Sequence, residues 1–330
     1  MKAVNHSNIE GLEGLSYSDM ETPQIEPHTV RVKLKTAGLN RRDVAVTNRH
    51  KTDQPPLILG SDGAGVIDEV GAEVKHLNEG DEVILNPGLG WKHNSDAPPA
   101  GFEILGLPDH GTFTEYITID GDHVEPKPSH LSWEEAGVLP LASLTAYRVL
   151  FTRAKIKQGD TVMLPGIGSG VLTFALKFAK AAGARVIVTS RSEDKLQKAK
   201  ELGADVGILT QSDWNEELKE ENVDVLVESI GQATFSKSLK VIRKGGTIVT
   251  FGATTEDEVT IDIRQFFYGQ YNLLGSTMGS GEEFKAMLQF IEQHDIKPEV
   301  DRMFDLSDYK KAFNYLRDTK NFGKIGFSIS

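Results

Sequence analysis

The sequence predicts an α/β protein with two parts, a compact antiparallel β-barrel or sandwich and a doubly wound parallel sheet. Three observations support this prediction. Up to about Asp120 the chain is a series of short alternating strands punctuated by glycine, and from Ser132 onward apolar strands alternate with amphipathic helices. The length of 330 residues also suits two domains at ~150 residues each.

The first part is predicted from its period-two alternation. "TVRVKLKTAG" and "GAGVIDEVGAEV" alternate apolar and polar residues, and "DEVILNPG" and "TFTEYITID" follow at close spacing. Such short, closely spaced strands are typical of antiparallel barrels and sandwiches. The stretch from Asn86 to Pro108 is rich in glycine, proline and aspartate and is predicted to be a loop.

The second part begins where the period changes. Ser132 and Glu135 have the spacing of a capping box, which predicts that a helix starts there and runs through "EEAGVLPLASLTAYRVLF". Continuous apolar strands such as "DTVMLPG", "ARVIVTS" and "VDVLVES" then alternate with helices. That pattern indicates a parallel sheet covered on both faces, and right-handed connections make it doubly wound.

The C-terminal part of the sequence does not supply another strand–helix–strand unit. Two helical stretches, "EEFKAMLQFIEQH" and "DYKKAFNYLRDT", precede a last strand, "GKIGFSIS". We therefore expect the chain to return to the first domain, formed by residues 1–122 and 290–330, with residues 123–289 as an inserted domain. In such a protein a ligand is expected in the cleft between the two domains, at the carboxyl ends of the parallel strands.

Composition excludes several classes of function. The net charge of −12 argues against nucleic-acid or anionic-membrane partners, because both kinds of binding begin with a basic field. Cysteine is absent, so no disulfide, thiolate metal site or thiol nucleophile is available. The first residues do not resemble a signal peptide, and no apolar run has the length of a membrane span, so we expect a cytoplasmic protein.

A glycine-rich loop opens the first helix of the predicted parallel sheet. In "LPGIGSGVLTF" the loop follows an apolar strand, and a helix start offers unpaired N–H groups to a pyrophosphate. Gly168 and Gly170 fit a dinucleotide fingerprint, but Val171 occupies the slot where that fingerprint has its third glycine. The loop alone is weak support for a nucleotide site.

The next strand end makes the prediction specific. About twenty residues after the loop, NAD-binding proteins carry an acidic residue for the ribose hydroxyls. This sequence has "VTSRSEDK" there, so Ser190, Arg191 and Lys195 offer a hydroxyl and two cations instead. Such groups suit a 2′-phosphate, which predicts NADPH as the cofactor. The alternative is that both cations are ordinary solvated surface charges.

Taken together, these stretches resemble a known family. "GLNRRD", "GSDGAGVIDEVG", "GTFTEY", "LPLASLTAYRVL", "VESIGQATF", "GGTIVTFGATT", "GSTMGS" and "FGKI" occur in the order found in the medium-chain dehydrogenase/reductase superfamily. They look most like its zinc-independent quinone-oxidoreductase branch and a related group called zinc-type alcohol dehydrogenase-like. The resemblance runs from about residue 25 to the C-terminus. It implies a GroES-like β-barrel catalytic domain with an inserted Rossmann domain, often assembled as an edge-to-edge homodimer.

The resemblance also draws attention to what is missing. Zinc-containing relatives place a Cys-His pair where "GLNRRD" stands and Gly-His-Glu where "GSD" stands, so Asn40 and Ser61 replace ligands. A lone carboxylate at Asp62 is no catalytic zinc site, which takes about three protein ligands. We therefore predict a metal-free protein. A site built from His93, Asp96 and His110 is the alternative that the residue types leave open.

Matching positions to the family's motifs assigns the candidate site. The resemblance implies that Asn40 and Asp43 line the cleft wall and that Thr145 approaches the nicotinamide carboxamide. An ordinary turn is the competing interpretation for the first two residues, and a helix hydroxyl bonded to its own backbone for the third. The implied cofactor-binding residues are Gly168, Ser169, Gly170 and Val171 at the pyrophosphate, Ser190, Arg191 and Lys195 at the 2′-phosphate, Ser229 beside the adenosine, Phe251, Gly252 and Thr254 along the nicotinamide side, and Ser276 and Thr277 over the ring.

These features predict an NADPH-dependent oxidoreductase that transfers hydride to quinones, enones or similar activated double bonds. Without zinc no Lewis acid polarises a carbonyl, so a conjugated acceptor is the better substrate. Ala45 and Val46 stand where some quinone reductases have a tyrosine, so no proton donor is evident. Tyr268 and Tyr271 are candidate cleft-lining residues, but buried aromatic packing is the favoured interpretation for both. The alternatives are an alcohol or aldehyde dehydrogenase-like enzyme and a non-catalytic NADPH-binding protein. A small-molecule substrate and a homodimer are the expected partners.

Overall fold

The computed structural model describes residues 1–329 and divides the chain into two compact units. Unit 1 consists of Met1–Ala142 together with the chain from Gly279 onward, and unit 2 is Ser143–Met278. The C-terminal segment is therefore grouped with the N-terminal one in unit 1. Residues 123–142 and 279–289 lie in unit 1, whereas the predicted ranges group them with the cofactor domain; which ranges fold independently stays a prediction.

Within residues 1–329 the strands are β1 (Lys2–His6), β2 (Leu15–Asp19), β3 (Thr29–Leu39), β4 (Leu57–Ile58), β5 (Asp62–Val70), β6 (Glu82–Leu85), β7 (Gly88–Leu89), β8 (Glu103–Ile104), β9 (Tyr116–Asp120), β10 (Val124–Pro126), β11 (Thr161–Leu164), β12 (Arg185–Ser190), β13 (Val206–Leu209), β14 (Val223–Glu228), β15 (Ile242–Thr250), β16 (Asn272–Gly275), β17 (Val300–Asp305) and β18 (Lys324–Ser328).

The α-helices of the same residues are α1 (Arg41–Arg49), α2 (Trp133–Gly137), α3 (Pro140–Tyr147), α4 (Gly170–Ala181), α5 (Glu193–Glu201), α6 (Trp214–Glu217), α7 (Gln232–Val241), α8 (Ile263–Gly269), α9 (Gly281–Gln293) and α10 (Tyr309–Arg317). None of these helices has the length and apolar character needed to cross a membrane.

Unit 1 is built mainly on antiparallel strands, as its period-two alternation predicts, although β17 and β18 pair in parallel. Its largest sheet has the order β10-β6-β5-β3-β18-β17, with β9 also paired to β3, and β2-β1-β4 forms a second sheet. The C-terminal strand β18 enters this sheet beside β3, with Phe327 opposite Ala37. Phe113 packs edge-on against Phe327 at 4.9 Å, and both belong to the core cluster that also contains Val4 and Leu15.

Unit 2 is a six-stranded sheet in which all neighbours are parallel. Its order is β13-β12-β11-β14-β15-β16, so the sheet grows outward on both sides from β11 and β14. Buried apolar residues fill its strands, including Val186, Ile187 and Val188 of β12. The strand order reverses between β11 and β14, and in doubly wound sheets ligands bind at the carboxyl ends of the strands at such a reversal.

One predicted helix is wrong in its extent. Ser132 does cap α2 through a capping box with Glu135, but α2 ends at Gly137 and α3 starts only at Pro140. Proline lacks the N–H that a continuing helix needs and is tolerated in a first turn, so it starts a new helix here. The segment Arg148–Arg153 after α3 is a π-helix, which the apolar pattern does not reveal.

Candidate functional sites

The functional residues predicted from the sequence fall into both units, and each unit is described by itself. Unit 1 holds Asn40, Asp43 and the residues around them. Unit 2 holds Thr145 and all of the predicted cofactor-binding residues.

Three neighbouring strands bring a buried charged cluster together in unit 1. In the sheet β18 pairs with β3 so that Ile325 lies opposite Leu39, and β3 pairs with β5 so that Gly38 lies opposite Asp62. This register places Lys324, Asn40 and Asp62 side by side. Gly38 permits the approach, because a Cβ there would lie 2.8 Å from the Asp62 carboxylate.

Lys324 is the centre of that cluster. Its ammonium donates to the Asn40 side-chain oxygen at 2.5 Å, to the Asp62 carboxylate at 2.9 Å and to the Leu39 carbonyl at 3.3 Å. The side chains of this ion pair are 3% and 0% exposed. All three ammonium hydrogens have acceptors, so Lys324 has no donor left for a ligand.

Both oxygens of the Asp62 carboxylate also have hydrogen-bond partners within the protein. One oxygen accepts from the Asn40 amide at 2.9 Å as well as from Lys324, and the other accepts from the Leu141 backbone N–H at 2.7 Å. These three donors satisfy the buried carboxylate within the protein. It therefore serves the structure of unit 1.

Asp43 and Arg42 lie at the start of α1. The Asp43 carboxylate accepts from the Asn40 backbone N–H at 2.7 Å, as in a capping box. Burial raises the pKa of Asp43 to about 6, against the lowering effect of the neighbouring Arg42. Arg42 donates through Nη1 to the Ser61 hydroxyl at 2.7 Å and to the Leu105 carbonyl at 2.9 Å. Burial lowers the pKa of the Arg42 guanidinium.

These contacts decide whether zinc fits the positions that hold it in zinc-containing relatives. Asn40 and Ser61, the two replaced ligands, each accept a hydrogen bond from a fixed cation, Lys324 and Arg42 respectively. A divalent cation placed there would meet two positive charges and no thiolate or imidazole. The residues therefore do not fit a catalytic zinc ion.

The alternative metal site is not assembled either. Among the described residues, no three His, Asp or Glu side chains come together as a metal-binding group. His93 pairs with Glu282 at 2.8 Å, while the His110 ring accepts from the Ile58 backbone N–H at 3.2 Å.

In unit 2 the glycine loop joins β11 to α4 as predicted. Gly166 and Gly168 have positive φ angles of 78° and 126°, which glycine adopts without strain. Ser169 is the N-cap of α4, and its hydroxyl accepts from the Leu172 N–H at 3.3 Å. The amides of Gly170 and Val171, the first two of the helix, have no acceptor within it. They are the donors that a pyrophosphate would use.

The residues predicted to bind the 2′-phosphate lie at and just after the end of β12. Ser190 is buried, and its hydroxyl accepts from the Ser192 N–H at 3.1 Å. Arg191 is exposed and forms no ion pair within residues 1–329, and Lys195 is half-buried in the first turn of α5. No carboxylate stands at the strand end itself, where Thr189 and Ser190 are followed by Arg191.

The remaining cofactor residues follow the ends of β14, β15 and β16. The Ser229 carbonyl accepts from the Thr254 hydroxyl at 2.9 Å, which joins the loops after β14 and β15. Phe251 and Gly252 follow β15 directly. Ser276, after β16, donates its N–H to the Thr250 carbonyl at 2.9 Å, and Thr277 beside it is exposed. Because parallel strands end on the same edge, all of these loops gather along one side of the sheet.

Two hydroxyl groups, those of Ser276 and Thr145, are relevant to ligand binding by unit 2. The Ser276 hydroxyl is a buried atom with no hydrogen-bond partner within residues 1–329. Such atoms are rare in folded proteins and call for an explanation, of which a bound ligand is one. Thr145, on α3, is 6% exposed, and its hydroxyl lies 4.0 Å from the Met278 sulfur. The residues at the strand ends thus fit a dinucleotide.

Sequence reasoning missed the part of the site that depends on distant residues. Glu228, at the end of β14, accepts from the N–H of Ile230 at 2.8 Å and from the Ser238 hydroxyl at 2.8 Å, and so fixes the loop that carries Ser229. Arg42 and Lys324 stand in motifs of the resemblance, "GLNRRD" and "FGKI", but neither motif shows what these side chains contact.

The fold and these two groups of residues define a class of enzyme. A GroES-like domain model, described as the alcohol dehydrogenase GroES-like domain, matches residues 26–129, and a model described as zinc-binding dehydrogenase matches residues 170–293. The class is that of the medium-chain dehydrogenases and reductases, oxidoreductases that use a nicotinamide cofactor.

The chain belongs, within that superfamily, to the zinc-type alcohol dehydrogenase-like group. It is 35% identical to a zinc-type alcohol dehydrogenase-like protein of Schizosaccharomyces pombe over 100% of this chain and 99% of the relative. It is 30% identical to the NADPH-dependent alkenal/one oxidoreductase of Arabidopsis thaliana chloroplasts, over 98% of this chain and 78% of the relative. A crystal structure of an NAD-dependent alcohol dehydrogenase superimposes with a TM-score of 0.93 at 36% identity, covering 100% of both chains.

Proposed function

We propose that this protein is a metal-free, NADPH-dependent reductase of enones, alkenals, quinones or similar activated double bonds. The observation that carries the proposal is the pairing of Asn40 and Ser61, the two replaced zinc ligands, with the cations Lys324 and Arg42. Without a metal, a simple alcohol loses the Lewis acid that favours its alkoxide in zinc-containing relatives. A conjugated double bond needs none, because its own carbonyl accepts the charge as hydride arrives.

NADPH is proposed as the cofactor because of the residues that end β12. Arg191 is exposed and Ser190 precedes it, so a cation and a hydroxyl are available to a 2′-phosphate, with Lys195 at the third position of α5. The relative from Arabidopsis is named as NADPH-dependent, whereas the superimposed alcohol dehydrogenase is named as NAD-dependent. The basic residues of this chain favour NADPH over NADH.

Each predicted residue then has a role. When bound, the cofactor supplies the hydride, and the protein supplies position and charge. We infer that the amides of Gly168, Ser169, Gly170 and Val171 hold the pyrophosphate, that Ser229 lies by the adenosine, and that Phe251, Gly252, Thr254, Ser276, Thr277 and Thr145 orient the nicotinamide end. Asn40 and Asp43 are proposed to line the substrate side.

A homodimer is the proposed assembly. Among the strands of residues 1–329, β16 pairs only with β15 and so forms an edge of the parallel sheet. Apolar side chains lie exposed on β16 and on α8 before it, with Ile263 68%, Tyr268 66% and Leu273 37% exposed. An exposed edge with apolar side chains is a template for strand pairing, and a second copy would cover it.

The test is a side-by-side turnover screen. Oxidation of NADPH and of NADH is followed with 2-cyclohexenone, 2-hexenal, 1,2- and 1,4-quinones and saturated aldehydes, and metal content is measured on the same preparation. Turnover of the conjugated acceptors with NADPH by zinc-free protein is expected. Turnover confined to saturated aldehydes or alcohols with stoichiometric zinc would establish the alcohol dehydrogenase alternative, and NADPH binding without any turnover would indicate a non-catalytic protein.

A further inference from the structure

Arg42 is a cation whose hydrogen-bonding capacity is only partly used. It stands in the first turn of α1, half-buried, and Nη1 makes both of its hydrogen bonds, to Ser61 and to Leu105. A guanidinium has five N–H donors. Within residues 1–329, Nε and Nη2 of Arg42 have no acceptor.

No carboxylate neutralises this guanidinium directly. Asp43 and Asp62 act on Arg42 only through longer-range attraction, and the described residues form no ion pair with it. Asp62 is held by Lys324, Asn40 and Leu141, and Asp43 by the Asn40 backbone. A partly buried cation without a counter-ion is costly, and an anionic or partly anionic ligand group reduces that cost.

The contacts of Arg42 also keep it in one place. Ser61 accepts from Nη1 and donates its own hydroxyl to the Leu105 carbonyl at 2.8 Å, so three groups form a closed ring of hydrogen bonds. One edge of the guanidinium is thereby fixed while the other stays available. A preorganised donor of this kind stabilises charge without reorganising during the reaction.

We propose that Arg42 is a catalytic residue that binds the carbonyl oxygen of the substrate and stabilises the negative charge that develops there. The inference rests on the proposed function. As hydride adds to the β-carbon of a conjugated C=C–C=O group, the double-bond pair moves toward the carbonyl and the oxygen becomes an enolate. Protonation of the α-carbon by water completes the reduction. The guanidinium thus takes over the electrostatic role of the metal beside Ser61, a position where zinc-containing relatives have a ligand.

Lys324 does not share this role. Its ammonium is buried at 3% exposure and all of its hydrogens are used within the protein. Only Arg42, of the two cations that contact the replaced ligand positions, retains donors for a ligand.

The experiment compares Arg42→Met and Arg42→Lys with Arg49→Met, which removes an exposed arginine from the last turn of the same helix. Calorimetry measures binding of 1-cyclohexene-1-carboxylate, an anionic mimic of the enolate, and of the neutral 1-cyclohexene-1-carboxamide, to protein saturated with NADP⁺. Turnover of 2-cyclohexenone with NADPH is measured in parallel, and thermal melting checks that each variant folds.

We expect Arg42→Met to weaken carboxylate binding at least about 10-fold and to lower kcat on the order of 100-fold, as for loss of one oxyanion donor. Binding of the neutral amide should weaken less than that of the carboxylate, and the Kd for NADPH should stay unchanged. Arg42→Lys should recover part of both losses because it keeps the charge. Arg49→Met, which removes a charge that acts on Arg42 only at longer range, should change both quantities much less than Arg42→Met does.

The outcomes separate the inference from the proposed function. Carboxylate binding and kcat that are the same in Arg42→Met and Arg49→Met would overturn the role of Arg42 and leave the reductase proposal standing. Failure of the wild type to bind the carboxylate would overturn it as well. Absence of enone turnover with Arg42-dependent carboxylate binding would refute the proposed reaction and support an anion site at Arg42.

Discussion

The ammonium of Lys324 lies 2.5 Å from the side-chain oxygen of Asn40, although 284 residues separate the two in the sequence. The contact joins the last strand of the chain to the turn between β3 and α1. It puts a positive charge of the protein where zinc-containing relatives have a metal ligand. The consequence is a site whose charge balance is internal, with Asp62 as the buried counter-ion.

Removing the positive charge of Lys324 should destabilise unit 1. Lys324→Met leaves the Asp62 carboxylate buried without a cation, which typically costs about 3–5 kcal/mol. The double variant Asp62→Asn with Lys324→Met should recover most of the loss, because no unpaired charge remains. Urea unfolding of the wild type, both single variants and the double variant measures the coupling. Additive losses in that cycle would show that the pair contributes no specific interaction.

The raised pKa of Asp43 leads us to expect that stability depends on pH. Its pKa is raised by burial to about 6, whereas an ordinary aspartate has 3.8, so the folded state binds one more proton than the unfolded state between these values. Stability should therefore decrease as pH rises through this window, by about 3 kcal/mol in total.

The matched variant for this prediction is Asp43→Asn, which keeps an oxygen for the Asn40 N–H but does not ionise. Its unfolding free energy should vary less between about pH 4 and 6 than that of the wild type and should exceed it at pH 7. Urea unfolding across this range at constant ionic strength measures the effect. Parallel pH profiles for the two proteins would contradict a raised pKa at Asp43.

Arg191 should determine the choice of nicotinamide cofactor. Because a 2′-phosphate contact is charge-assisted, Arg191→Ala should raise the Kd for NADPH about 10- to 100-fold and leave that for NADH nearly unchanged. Lys219→Ala is the control, since Lys219 is exposed in the loop that precedes β14, at the opposite end of the strands. Fluorescence titration with both cofactors provides the comparison. Equal effects on NADPH and NADH would refute the 2′-phosphate assignment.

Much of the fold can be predicted from the sequence because strands and helix starts leave recognisable patterns within short stretches of residues. Alternation in β3 and the apolar runs of β11, β12 and β14 identify strands, and Ser132 with Glu135 identifies a helix start. The extent of that helix is wrong because Pro140 interrupts it and a π-helix follows.

Short sequence patterns predict only part of the candidate site. The loop before α4 and the polar end of β12 follow from spacing alone. The contacts of Arg42 with Leu105 and of Lys324 with Asn40 depend on strand register across the whole chain, and no short motif carries that information.

The edge strand β16 should decide the oligomeric state. Leu273 is 37% exposed on this strand, and Leu273→Asp would place a buried charge in any interface that pairs two copies along it. Sedimentation velocity should show a dimer for the wild type and a monomer for this variant. Ile9→Asp, at a 56% exposed apolar residue of unit 1, should remain dimeric. A dimer that survives Leu273→Asp would place the interface elsewhere.

Zinc should be dispensable, and the reason can be tested by trying to restore it. The wild type should contain substoichiometric zinc and keep its turnover after exhaustive chelation, because Asn40 and Ser61 are poor ligands already bound by cations. Introducing ligands by Asn40→Cys with Ser61→His should still give weak zinc binding, since Lys324 and Arg42 repel a dication. Adding Lys324→Met to that double variant should strengthen zinc binding by removing one positive charge next to the new thiolate. Competition with a chromophoric chelator measures the affinity of each protein. Tight zinc binding by the double variant while Lys324 is present would show that the two cations do not control the site.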